Sequence, residues 1–441
     1  MQSAATADQI GSLTRGTERS ESIRRAAASL FPFGARSSCS RWCQRWTPGK
    51  ATASHRRGAL LPIVARGKGG TVLDVDGKEY VDFAGGDGAL ILGHADERVV
   101  AAITKAVSKG NGQGAPSEME VRLAELIVGR MPAVDMVQLV QTDFEALSFA
   151  VHTAQALTGR HYVVTFEGAW HGRLAEMVLG QAVPFGAERQ TGNDLRASHF
   201  TVSFNDSAAV ERLFRVHGSE IAAVVAEPIS LMQGELEPVV EFLTHVRSLC
   251  DRHDALLILD ETVTGFRVSP DGAAVMAGVS PDLTLLGPIV GGGLPLAACG
   301  GRKEVLRALK ADEATLSLSP GCGSLTESGL ALAAGIATLQ ALGEDGFYRQ
   351  LEDKSARLDD GFRSASSAAG VRVRHSRFGS ILGMKFESEI VLAEFIHAML
   401  ERGVLLPASA AACLFVSAAH TEEESDRAIE AAHASFTAAI P

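Results

Sequence analysis

The chain has 441 residues, 46% of them hydrophobic and 21% charged, which suits a large globular protein of two or more structural units. No uninterrupted apolar run is long enough to span a bilayer, and a net charge of −11 speaks against nucleic acid as a partner. Six scattered cysteines (Cys39, Cys43, Cys250, Cys299, Cys322, Cys413) lack metal-ligand spacing and read as reduced intracellular thiols, with a cytoplasmic location as the default.

Residues 1–60 differ from the rest. They hold nine Arg and Lys50 against Asp8, Glu18 and Glu21, with many Ser and Ala. An organelle transit peptide has that composition, but a short helix over 20–30 favours a flexible basic extension and arm. Residues 70–83 read as a β-hairpin turning at Asp76-Gly77. After His94 the spacing predicts a helix with Val99, Val100, Ile103 and Val107 on one apolar stripe, and a second from Glu118 using Val121, Leu123, Leu126 and Ile127.

From Met136 onward, short apolar runs alternate with helical segments. The candidate strands are 136–140, 162–166, 221–227, 256–261 and 283–286. Each is nearly continuous in apolar residues, as strands covered on both faces are. The expectation is an α/β fold with a mostly parallel sheet, and ligands at the carboxyl ends of its strands. Past Thr338 the pattern changes to helix, strands and helix: a strand region over 378–386 and helices over 390–402 and 421–439. This divides the chain into the extension (1–60), a hairpin segment of a small domain (61–95), a large domain (96–337) and a C-terminal small α+β domain (338–441).

Several motifs in order carry a resemblance. They are Ile91-Leu92-Gly93-His94-Ala95, Phe166-Glu167-Gly168-Ala169-Trp170-His171-Gly172 and Asp260-Glu261-Thr262-Val263-Thr264-Gly265-Phe266-Arg267. The late runs Met399-Leu400-Glu401-Arg402-Gly403-Val404 and Phe415-Val416-Ser417-Ala418-Ala419-His420-Thr421 continue it. Together they resemble the class III aminotransferases, fold type I pyridoxal-phosphate enzymes, and among them the glutamate-1-semialdehyde aminomutase type. The resemblance implies an aspartate-aminotransferase-like fold, a cofactor-binding large domain and a dimer. It implies Asp260 as partner of the pyridinium nitrogen, which makes the ring an electron sink, and Glu227 as a second pocket acid. Trp170 would stack on the ring. His171 resembles a structural histidine and is not read as a metal ligand, because no partner cluster around it is visible in the sequence, and no metal is expected.

The departures matter more. In Leu283-Thr284-Leu285-Leu286-Gly287-Pro288-Ile289-Val290-Gly291-Gly292-Gly293 the family's Schiff-base lysine position is Pro288, which has no amine to form an imine or move a proton. Lys303, Lys310 and Lys385 are candidates to replace it in number only, and Lys303 reads as a surface residue. The family's phosphate turn, Asn-Ser-Gly-Thr-Glu-Ala, is here Gln141-Thr142-Asp143-Phe144-Glu145-Ala146. Thr142 keeps a hydroxyl, but Asp143 adds a charge that repels a phosphate, and the side chains block approach to the backbone. Ser324 keeps the hydroxyl of the partner-subunit half of the cup. The arm over 31–41 only loosely resembles the family's segment, with Ser37 and Arg41 as nearest counterparts.

These changes predict no catalytic residue at the lysine position and weakened cofactor binding. The leading expectation is a degenerate homologue acting as partner or regulatory subunit, in a homodimer or with an intact paralogue. The alternatives are an enzyme of altered chemistry that holds pyridoxamine phosphate or another small anion non-covalently, and an ordinary aminotransferase or aminomutase acting on a small amino or keto compound.

Overall fold

The structure, a computed structural model, describes residues 62–110, 117–169, 171, 182–184, 199–234, 236, 240–308, 328–407 and 412–439. The expected helix over 20–30, the arm over 31–41, Trp170, Lys310 and Ser324 lie outside the described residues.

In chain order the elements begin with β1 (Val64–Lys68), β2 (Thr71–Asp74), β3 (Glu79–Asp82), α1 (Glu97–Val107) and α2 (Glu118–Val128). The α/β run follows: β4 (Met136–Val140), α3 (Asp143–Thr158), β5 (Tyr162–Phe166), β6 (Ala182–Pro184), β7 (His199–Val202), α4 (Ser207–His217) and β8 (Ile221–Ala226). It continues through α5 (Val240–His253), β9 (Leu256–Glu261), α6 (Ala273–Met276), β10 (Leu283–Leu286), β11 (Ala297–Gly301) and α7 (Lys303–Ala308). Last come α8 (Gly329–Leu342), α9 (Phe347–Ala368), β12 (Val373–Phe378), β13 (Ile381–Phe386), α10 (Glu389–Glu401), β14 (Val404–Leu405), β15 (Ala412–Phe415) and α11 (Glu422–Ala438).

The central sheet has eight strands in the order β4-β11-β10-β9-β8-β5-β7-β6. From β10 to β6 every pair is parallel, and β11 runs antiparallel to both β10 and β4. Side-chain alternation explains why its strands read as unbroken apolar runs. Ala223, Val225, Ile258, Leu283 and Leu285 pack with Leu147, Ala150 and Val151 of α3, while Val224, Ala226, Leu257 and Leu259 pack with Leu213 and Phe214 of α4 and Phe242 and Val246 of α5. The strands β6 and β7, absent from the expected set, span 3 and 4 residues, too short for a periodicity to register.

The Asp76-Gly77 turn forms: Asp74 Oδ1 accepts from the amides of Asp76 and Lys78 at 2.9 Å each, and Gly77 takes a φ of 85°. Its sheet is completed by β14, which pairs parallel to β3, so the hairpin shares a sheet with the chain's late segment. The expected strand region over 378–386 is a hairpin, β12 and β13, joined by β15 in a third sheet.

Two expected helix stripes are corrected. On α1, Val100 and Val107 are 47% and 58% exposed, and on α2 Val121 is 58% exposed. The helix α1 packs on α8, and its less exposed positions are Val99, Ala102, Ile103 and Ala106, an i, i+3, i+4, i+7 row. Val100 and Val107 stand one residue, about 100° of helix, beyond that row. Valine content alone does not say which of two adjacent rows meets the partner helix.

Candidate functional site

Strand register assembles the site. In the parallel pair β8–β9, Ala226 faces Leu259, so the next residues, Glu227 and Asp260, emerge side by side at the carboxyl edge. On the other side of β8, β5 ends at Phe166 and its following loop carries His171 back over that edge. His171 Nδ1 lies 2.9 Å from Asp260 Oδ2 and 3.7 Å from Glu227 Oε1, and all three residues are buried. The other Asp260 oxygen accepts from the Thr262 hydroxyl at 2.7 Å and the Thr262 amide at 3.0 Å.

The electrostatics follow from that packing. Burial opposes the His171 imidazolium, but the Asp260 hydrogen bond and the charges of Asp260 and Glu227 outweigh it and hold its pKa above the ordinary value. Burial likewise favours the neutral Asp260 acid, yet His171 and Thr262 outweigh it and keep that carboxyl below the usual range. The adjacent Glu261 points to the opposite face. It caps α6 by accepting from the amides of Ala273 and Ala274 at 2.5 and 3.0 Å, and burial pushes its pKa up to about 7.

Pro288 opens a 3₁₀ turn, Pro288–Gly291, two residues past the end of β10, where Leu285 and Leu286 pair with Asp260 and Glu261. It therefore stands at the same sheet edge as the cluster. Of the described lysines, Lys68, Lys78, Lys105, Lys109, Lys303 and Lys385 are exposed. Lys354 is half-buried, with its ammonium on the Ala418 carbonyl and Glu422 and Glu424 as its acidic neighbours. None is buried with the His171 cluster.

The turn before α3 is engaged with itself. Thr142 is the N-cap and accepts from the Glu145 amide at 3.2 Å, while Glu145 Oε2 accepts from the amides of Gln141 and Thr142 at 2.7 and 3.2 Å. Asp143, the first helical residue, is half-buried, and its pKa is pushed up to about 7 by burial and then by the charge of Asp260. A carboxyl raised this way costs stability as it ionises: the loss begins above the unfolded value, near pH 4, and is complete above the folded one, near 7. Asp143→Asn is therefore expected to match the parent protein below about pH 4 and to exceed it by about 1–2 kcal/mol at pH 8. That figure is discounted because Asp143 is partly exposed and the α3 dipole favours its anion. Urea midpoints at the two pH values check it; equal differences at both would remove Asp143 from the buried charge balance.

Among the residues expected from sequence, the structure brings Asp260 and Glu227 together, leaves Thr142 exposed at its helix cap, and describes neither Trp170 nor Ser324. Sequence reasoning missed the linkage of His171, whose carboxylate partner Asp260 is 89 residues away, and the clamp made by Thr262. A hydroxyl two residues after a strand-end aspartate was the one available signal for the latter.

The profile of the class-III aminotransferase family matches residues 52–435. A glutamate-1-semialdehyde 2,1-aminomutase from Pelotomaculum thermopropionicum is 37% identical over 97% of this chain and 99% of its own length. Among solved structures, an omega-transaminase from Sphaerobacter thermophilus matches with a TM-score of 0.79 at 26% identity, covering 94% of this chain and all of that one. A lysine-to-alanine variant of a glutamate-1-semialdehyde aminomutase from Pseudomonas aeruginosa PAO1, in complex with PMP, matches with a TM-score of 0.76 at 25% identity, covering 96% of this chain and 98% of that one.

Relatives with this fold bind pyridoxal phosphate or its amine, so the described residues can be tested against that group. The ring-nitrogen side fits, because Asp260 is buried, ionised and held by two neighbours. The other two sides do not fit: no described lysine is buried beside the cluster, and where the resemblance implies a glycine and a threonine in the phosphate turn this chain has Asp143 and Phe144. With the mostly parallel sheet, the strand-edge acids and a family match over most of its length, the chain belongs to the class-III aminotransferases.

Proposed function

We propose that this chain is a class-III aminotransferase homologue of the aminomutase type that does not run Schiff-base transamination, and that it serves as the partner or regulatory subunit of a cytoplasmic dimer. The observation that carries this reading is Pro288 two residues past the end of β10, at the sheet edge where Asp260 ends the neighbouring strand region, with every described lysine exposed or tied elsewhere. The altered turn at Asp143 and Phe144 supports it independently, since a phosphate there would repel the Asp143 anion, which burial and the Asp260 charge already disfavour.

A second reading has its own support. The lysine-to-alanine variant of the Pseudomonas relative is in complex with PMP, and Asp260 keeps the charge and burial that suit a ring nitrogen. On that reading the chain holds the amine form of the cofactor non-covalently.

The absorption spectrum of the purified chain with pyridoxal phosphate, before and after borohydride, tests the loss of imine chemistry that both readings share, and a titration with PMP separates them. The expected result is no aldimine band and no covalent adduct. A band that borohydride fixes to the chain would mean that another lysine serves, and would return the protein to ordinary transaminase chemistry. Saturable uptake of PMP without an adduct would favour the second reading.

A further inference from the structure

We propose that His171, Glu227 and Asp260 form a binding site for a divalent transition-metal cation of the zinc class, held through His171 Nδ1, one Glu227 oxygen and Asp260 Oδ2. The inference rests on the reading above, in which no covalently held ring fills this edge of the sheet.

The donor set is one imidazole and two carboxylates, which suits zinc and its neighbours. The three donor atoms lie within 4.8 Å of one another, and all three residues are buried. Zinc bonds of about 2.0–2.2 Å in a tetrahedron set donors about 3.3–3.6 Å apart. The observed spacings of 2.9 and 3.7 Å from His171 Nδ1 bracket that range, the shorter one being a hydrogen bond that the cation would replace. Binding requires loss of the proton shared there, because a metal takes the neutral imidazole.

Asp260 is already arranged as a one-oxygen ligand. Thr262 occupies Oδ1 with its hydroxyl and amide, fixing the carboxylate plane and leaving Oδ2 toward His171. Hydrogen bonds of this kind orient metal ligands and raise affinity. Charge points the same way. The cluster itself sets two carboxylates against one imidazole, with Glu227 and Asp260 emerging side by side from β8 and β9. An edge lined by carboxylates, with no lysine buried among the described residues, attracts a cation and repels a phosphate.

The test uses the full chain, stripped with a chelator and dialysed against zinc, with metal per chain counted by mass spectrometry and affinity measured against a chromogenic chelator. One zinc per chain is expected. Affinity should fall more than about 100-fold in His171→Ala and in Glu227→Gln, and about 10–100-fold in Thr262→Val. Glu227→Gln and Thr262→Val are close to isosteric, so they decide the matter if His171→Ala does not fold. No zinc above the dialysis blank, or affinity unchanged in Glu227→Gln and Thr262→Val, overturns the site and assigns any bound zinc to surface histidines. The pyridoxal phosphate spectrum, taken on a separate portion of the same protein, keeps the two readings apart. A borohydride-fixed adduct overturns the subunit reading alone, while the zinc count on cofactor-free protein still decides the metal.

Discussion

Replacing Arg267 with alanine is expected to lower the unfolding free energy by about 3 kcal/mol, from lost hydrogen bonds plus a cavity. Arg267 is fully buried. Its guanidinium donates to the Gly88 carbonyl, the Val416 carbonyl at 3.0 Å and the Ser380 hydroxyl at 3.1 Å, joining three segments far apart in sequence. No carboxylate is among these partners, and burial pushes the guanidinium pKa down to about 9. Removing it therefore relieves a desolvated charge, and this offsets part of the loss. The unsatisfied carbonyls decide the sign, at about 1–3 kcal/mol for each left dry.

Arg267→Met keeps the volume and isolates the hydrogen bonds, while Arg267→Lys keeps the charge and loses the fork. Both are expected to lower the urea midpoint, with faster amide exchange over 84–90 and 414–420. An unchanged midpoint in Arg267→Met would show that water replaces the clamp without cost. The residue before it adds to the argument: Phe266 is buried with a φ of 60°, a left-handed backbone that an aromatic residue rarely adopts, and the Tyr348 hydroxyl donates to its carbonyl at 2.9 Å. The Arg267 clamp and the Tyr348 bond bracket that strained residue.

The second large effect is expected at Gly335, in the middle of α8. A methyl group there would lie far inside contact distance of the Val290 carbonyl oxygen, on the 3₁₀ turn that Pro288 opens. Helix propensity alone would make Gly335→Ala stabilising by about 1 kcal/mol. Backbone meets backbone here, however, so neither side yields by a rotamer change, and overpacking costs about 1–3 kcal/mol on its own. A net loss of about 2 kcal/mol is expected for Gly335→Ala, read as a lower urea midpoint. A midpoint at or above that of the parent would show that α8 and the turn separate freely.

How much was legible in the sequence varies with the range of the interaction. The strands β8, β9 and β10 were readable because each is covered on both faces, so residues 221–226, 256–259 and 283–286 are nearly all apolar. The cap at Thr142 and Glu145 is local too, a hydroxyl and a carboxylate three residues apart, although the segment was read from sequence only as an altered phosphate turn. The burial of α1 was not, since a valine row such as Val100 and Val107 differs from its neighbour only by which side meets α8.

The chemistry divides in the same way. That position 288 lacks an amine, and that positions 143 and 144 carry a carboxyl and a ring, is covalent structure and needs no fold to establish. What the tertiary structure decided is which groups these changes leave facing one another. Strand register set Glu227 beside Asp260, and the loop after β5 delivered His171 to both. A buried histidine acquires its charge and its partners from residues that no spacing rule connects, because chain closure over long separations is settled by packing of the whole sheet and not by local preference.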